Sequence, residues 1–142
     1  MSKNGFTLIE ILVVVIIISI LAGIVGMNVL RHPGEAKVTA AKLQIKTFKS
    51  ALQLYRMEQN RYPTQEQGLK ALCVKPAIAP LPEKYPLEGY LQSTKLPQDP
   101  WNHDYIYLSP GRSQEPYEII SYGGDGEPGG KEEAADISSS DL

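Results

Sequence analysis

The side chains best placed to do chemistry in this chain are carboxylates, and they occur in two settings. Glu10 is the one strongly polar residue in the run from Leu8 to Met27, which is otherwise apolar apart from Ser19. An acidic group within an apolar helix costs roughly 2.5–3.5 kcal/mol at a bilayer centre and less near an end, so such a carboxylate needs a partner. The second setting is 122–136, where Asp125, Glu127, Glu132, Glu133 and Asp136 are spread over a glycine-rich stretch that begins at Tyr122. Carboxylates on a flexible backbone with accessible carbonyls are donors for a hard cation such as Ca²⁺. The same composition suits a solvated turn, which is the simpler reading of the residues alone. Elsewhere the chemistry is sparse. His32 and His103 stand apart, with no nucleophile–base constellation and no CxxC pair near them. Cys73 is the single cysteine, so it forms no internal disulfide and reads as a small buried apolar side chain. An anchored enzyme is therefore a poor reading. A net charge of −2 lacks the basic footprint of a nucleic-acid binder.

The element that positions Glu10 must be a helix. About 20 apolar residues at 1.5 Å each span a roughly 30 Å hydrocarbon core. Lys3 precedes the run, so the short N-terminus stays cytoplasmic and the rest of the chain is exported. A cleavable secretory signal would have a shorter apolar region and a small-x-small site, of which Ala22-Gly23 is only a weak version. A plain anchor explains the length but leaves Glu10 without a role.

Past Met27, Val38, Ala41, Ile45, Phe48, Leu52 and Tyr55 recur at three-four spacing, one apolar stripe of a second helical stretch. Pro33-Gly34 predicts a kink or local melting at the join. Counted through it, the rod covers about 50 residues and roughly 75 Å. Thr64 is placed to cap a short helix, with Gln67 completing a capping box. Residues 75–89 hold Pro76, Pro80, Pro82 and Pro86 and read as a surface connection. Tyr105–Leu108 and Tyr117–Tyr122 read as strands around the Ser109-Pro110-Gly111 turn, with room for a third. Trp101 and the tyrosines read as core and turn packing. The fold class is α+β: a long N-terminal helix, apolar and then amphipathic, packed on a small lobe with a short antiparallel sheet and a Gly/Asp-rich loop.

The string Gly5-Phe6-Thr7-Leu8-Ile9-Glu10 resembles the processing motif of the type IV prepilin and pseudopilin family. That resemblance implies cleavage by a prepilin peptidase between Gly5 and Phe6, N-methylation of Phe6, and a Glu10 carboxylate paired with the Phe6 ammonium of its own or a neighbouring subunit. It divides the chain into a leader at 1–5, a transmembrane and filament-core helix at 6–29, and a periplasmic lobe at 30–142. Four further blocks resemble the major pseudopilins of type II secretion systems: Arg-Tyr-Pro-Thr-x-Glu-Gln-Gly-Leu at 61–69, Leu-Pro-Gln-Asp-Pro-Trp at 96–101, Leu-Ser-Pro-Gly at 108–111 and Gly-x-Asp-Gly at 123–126.

The resemblance implies the principal subunit of a pseudopilus, a helical homopolymer that drives folded proteins out through the outer membrane. The subunit would pass once through the bacterial inner membrane, and its partners would be minor pseudopilins, the inner-membrane assembly platform and the secretin. It also implies Ca²⁺ in the acidic loop, held by Tyr122, Asp125, Glu133 and Asp136. The chain departs from the family pattern at several positions. Met27 stands where a proline is usual, leaving Gly23 and Gly26 as the helix-weakening residues. Ala134 and Ala135 stand where a second carboxylate is usual. The alternative within the family is a type IV pilin for adhesion, motility or DNA uptake. Those pilins more often close a disulfide, which a lone Cys73 cannot.

Overall fold

The computed structural model describes residues 5–29 and 33–142, without the side chains of 25–29. Residues 1–4 of the expected leader at 1–5, His32 and the join at 30–32 lie outside the described residues. The chain divides into two compact units, with the boundary after Gly34.

The first unit is built on helix α1, Leu8–Val29, 22 residues long. Its described leucines, isoleucines and valines are exposed on every side. A helix apolar all round belongs inside a protein or a membrane. Its one hydroxyl is satisfied within the helix, Ser19 Oγ donating to the Val15 carbonyl at 2.7 Å. The helix runs unbroken through Gly23 and Gly26. Among the described residues no helix is long and apolar enough to cross a membrane. The part of α1 with described side chains, residues 8–24, is about 25 Å long.

The second unit starts within helix α2, Pro33–Gln59. Pro33 sits at the first position, where its missing N–H costs nothing and its φ suits a helix. The helix thus begins at the Pro33-Gly34 pair that the sequence marks as an interruption. The expected stripe is the buried face: Ala41, Ile45, Phe48, Leu52 and Tyr55 have no exposed surface, while Val38 is half-buried at the margin of the core. Phe48 meets Tyr105 edge-on, with ring centroids 5.0 Å apart.

The stripe shares its core with a three-stranded antiparallel sheet: β1 Ile106–Leu108, β2 Glu118–Ser121 and β3 Ile137–Ser138, in that order. Tyr107 pairs with Ile119, and Ser121 with Ile137. Side chains alternate along β2, so Ile119 enters the core while Glu118 points to the other face. Glu118 is nevertheless buried.

Between α2 and β1 the chain is turn-rich, and buried glutamines organise it. The predicted capping box forms: Thr64 N–H donates to Gln67 Oε1 at 3.1 Å and Gln67 N–H to Thr64 Oγ1 at 3.3 Å. The box closes a turn at 65–68 and does not cap the short helix as expected: the single 3-10 turn at Leu69–Leu72 has Gly68 as its N-cap, with no side-chain hydrogen bond. Gln67 Nε2 also donates to the carbonyls of Ile78 and Pro80, and Gln59 Nε2 to that of Lys84. The proline-rich connection is tied down by side chains from elements already in the core.

Candidate assembly site

At the N-terminus, Thr7 and Glu10 form a capping box that the sequence reading passed over. Thr7 N–H and Oγ1–H each donate to Glu10 Oε2 at 3.3 Å, and Glu10 N–H donates to Thr7 Oγ1 at 3.3 Å. The Thr-x-x-Glu spacing was there to be read. Gly5 and Phe6 precede the helix in exposed, non-helical backbone. Glu10 is thus held in the first turn of α1 by Thr7, the residue after Phe6.

At the other end of the chain, the loop 122–136 is fixed at both of its roots. Its entry is held by Asp99, which is 3 % exposed. Asp99 Oδ2 accepts from Ser121 Oγ at 2.6 Å, and Oδ1 accepts from the N–H groups of Trp101 and His103 at 3.0 and 2.8 Å. His103 Nδ1 lies 3.1 Å from the Gly123 carbonyl. Gly123 itself, at φ 63°, leaves room for the backbone only: a Cβ would stand 2.7 Å from the Glu133 carbonyl oxygen.

The exit is held by Glu118. Its carboxylate accepts from Ser138 Oγ at 2.7 Å, from Arg112 N–H at 2.9 Å, and from the Arg112 guanidinium at 2.6–3.1 Å. Those guanidinium hydrogen bonds, ahead of the opposing effect of burial, pull its pKa down to about 2. The Arg112 pKa rises for the same reason. Beyond β3, Ile119 N–H donates to Ser139 Oγ at 2.9 Å, and Lys49 Nζ on α2 donates to the carbonyls of Ser139 and Leu142.

Within the loop, Asp125 Oδ1 accepts from Glu127 N–H at 3.1 Å and Asp136 Oδ1 from Gly129 N–H at 2.9 Å. Glu133 closes the loop through its carbonyl, which accepts from Gly124 N–H at 2.8 Å. Its carboxylate is on an exposed residue, and Tyr122 is half-buried. Carboxylates and carbonyls are donors for a hard cation. Among the described residues, however, no three His, Cys, Asp or Glu side chains are grouped to hold a metal ion.

The sequence singled out Asp125, Glu133 and Asp136 but missed Asp99, Glu118 and Arg112. Asp99 had a local signal, since an Asp two residues before an accessible N–H forms an Asx turn. Glu118, in the middle of a strand, had none.

A processing-type N-terminal motif on an apolar helix, followed by an amphipathic helix on a small α+β lobe, defines a pilin-like subunit. The prokaryotic N-terminal methylation motif matches residues 1–26, and the family model "Type II secretion system (T2SS), protein G" matches residues 28–140. The chain belongs to this protein G family of type II secretion pseudopilins. It is 46 % identical over 136 residues to the type II secretion system core protein G of Pseudomonas aeruginosa, covering 96 % of this chain and 94 % of that protein. It is 41 % identical over 136 residues to that of Vibrio cholerae, covering 96 % and 90 %. The crystal structure of the major pseudopilin from enterohaemorrhagic Escherichia coli aligns with a TM-score of 0.64 at 40 % identity, covering 76 % of this chain and 90 % of the other.

Proposed function

We propose that this chain is the principal structural subunit of a type II secretion pseudopilus, acting by assembly rather than catalysis. Prepilin peptidase removes residues 1–5 between Gly5 and Phe6, and Phe6 is N-methylated. Residues 6–29 then cross the inner membrane once, and 30–142 stand in the periplasm. Subunits polymerise into a helical filament that grows from the inner-membrane platform, with minor pseudopilins, towards the secretin. The observation that carries this reading is an all-round apolar α1, headed by the methylation motif, in one chain with a lobe of the major pseudopilin fold.

Glu10 serves assembly. Cleavage turns the Phe6 peptide nitrogen into an ammonium beside the Thr7–Glu10 box. A carboxylate partner for that cation, in the same or the next subunit, removes two uncompensated charges from an apolar setting and sets the register between helices. Support for Ca²⁺ in the acidic loop is the donor chemistry: the Tyr122 carbonyl with Asp125, Glu133 and Asp136. A rise in melting temperature with millimolar Ca²⁺, lost in Asp125→Ala, is the expected result. No change would remove the ion from the account.

The test of the main reading is deletion in the source bacterium, scoring exoprotein secretion against twitching and surface piliation. Loss of secretion with piliation intact is expected. Retained secretion with lost piliation would favour a type IV pilin and overturn the assignment.

A further inference from the structure

Helix α2 has a second stripe, and nothing in its own lobe covers it. Ala40, Leu43, Thr47, Ser50, Leu54 and Met57 follow one another at alternating three- and four-residue steps and are all exposed. Leu43, Leu54 and Met57 are 66 %, 51 % and 77 % exposed. The hydroxyls between them are turned inward, Thr47 Oγ1 bonding the Leu43 carbonyl and Ser50 Oγ the Lys46 carbonyl. The stripe therefore offers mostly carbon to its surroundings. Single exposed apolar residues need no explanation, but an aligned row of them on a rigid helix marks an interaction surface.

Charge says what covers it. At about 100° per residue, Lys42 and Lys46 lie along the same edge of the stripe, and among the described residues neither is in an ion pair with a carboxylate. Residues 33–59 carry five basic and two acidic side chains, a net +3, while 122–136 carry five acidic and one basic, a net −4. Asp125, Glu127, Glu132 and Glu133 in that loop are exposed. One chain thus presents two separate patches of opposite sign. A contact between two different patches on identical subunits is heterologous, and when its rotation does not close a ring it propagates as an open helical filament.

We infer that the outer face of α2, with Leu43 and Leu54 along its centre and Lys42 and Lys46 on its rim, docks the acidic 122–136 loop of a second copy of this chain. This inference rests on the pseudopilus reading and adds the lobe-to-lobe contact to it. Attraction between the patches steers and orients the subunits, and covering the stripe removes apolar surface from water. The two positive charges of one bound Ca²⁺ would still leave the loop at −2.

The experiment uses the full chain in a strain lacking its own major pseudopilin, with pseudopili counted by electron microscopy. Charge reversal sets like charges face to face across the contact, so K42E/K46E and E127K/E132K should each cut fibre yield by about tenfold or more. The chain carrying all four exchanges should recover part of the yield, because the exchanged side chains at 42 and 46 again face opposite charges at 127 and 132. Yields unchanged in either pair, or no recovery in the fourfold variant, would overturn the contact.

A second readout is independent of charge reversal. A chain with Lys46→Cys and Glu127→Cys should give a ladder of disulfide-linked multimers under mild oxidation, and absence of the ladder would overturn the contact. If the unaltered chain itself forms no fibres, the pseudopilus reading fails. If it forms them while the exchanges have no effect, only the contact fails.

Discussion

Protonating or neutralising Glu118 should loosen the lobe in a way that pH reveals. The side chain is 2 % exposed, yet its carboxylate collects hydrogen bonds from Ser138, the Arg112 backbone and the Arg112 guanidinium. A carboxyl whose pKa falls from 4.5 to about 2 on folding contributes about 3 kcal/mol of stability. Arg112 is 53 % exposed at its side chain, and solvent screening of that cation reduces the figure to roughly 2 kcal/mol. The folded pKa lies below the unfolded one. The contribution is therefore fully present above pH 4.5 and disappears as pH falls through about 2. The assay is chemical denaturation of residues 35–142, one compact unit, at steps from pH 7 to pH 2, for the unaltered lobe and Glu118→Gln. The gap between them should be roughly 2 kcal/mol at neutral pH and close to zero at the acid end. Arg112→Ala should cost more than Glu118→Gln at neutral pH, about 3 kcal/mol, because it leaves a buried carboxylate without its cation. Parallel curves for the unaltered lobe and Glu118→Gln would refute the reasoning. So would an Arg112→Ala variant as stable as the parent.

Three further substitutions probe the packing described above, each by the same denaturation assay. Phe48→Ala removes a fully buried ring stacked edge-on against Tyr105 and should cost about 3–5 kcal/mol. Asp99→Ala strips the buried acceptor from Ser121 Oγ and two backbone N–H groups and should cost about 2–3 kcal/mol, with hydrogen exchange at Trp101 and His103 rising locally. Tyr105→Phe works the other way: its hydroxyl is buried with no hydrogen-bond partner among the described residues, so removing it should leave stability unchanged or raise it by up to about 1 kcal/mol.

The parts of this fold that were legible in the sequence are those set by local spacing. The stripe from Ala41 to Tyr55 is fixed by helical periodicity, and the same five residues are fully buried. The Thr64–Gln67 box depends on a three-residue offset and forms, although it closes a turn instead of capping the short helix. The first two strands were placed within a residue or so of β1 and β2. β3 was only allowed for, because a two-residue strand carries no periodicity. Its position depends on partners 20 residues or more away, such as Glu118 for Ser138 and Lys49 for Ser139. No window along the chain shows that Glu118, unlike its half-buried neighbour Glu115, will be fully buried and paired with Arg112. At the candidate sites, the acidic loop was legible from composition. Its two anchors were not, because each is a tertiary hydrogen-bond set.

The anchoring bears on what the loop can contribute to assembly. A loop with four glycines at positive φ, Gly123, Gly126, Gly129 and Gly130, has little intrinsic stiffness, and ordering such a segment on binding would cost entropy. Asp99 fixes its entry through Ser121, and Glu118 fixes its exit through Ser138. Asp125 and Asp136 take up N–H groups in between. Much of the ordering is therefore achieved in folding, with Asp99 and Glu118 buried within the lobe. The exposed carboxylates of Glu127, Glu132 and Glu133 are left on a loop held at both ends. A surface prepared in this way can meet a repeating partner with small reorganisation per subunit, which is what a polymer built from many identical weak contacts requires.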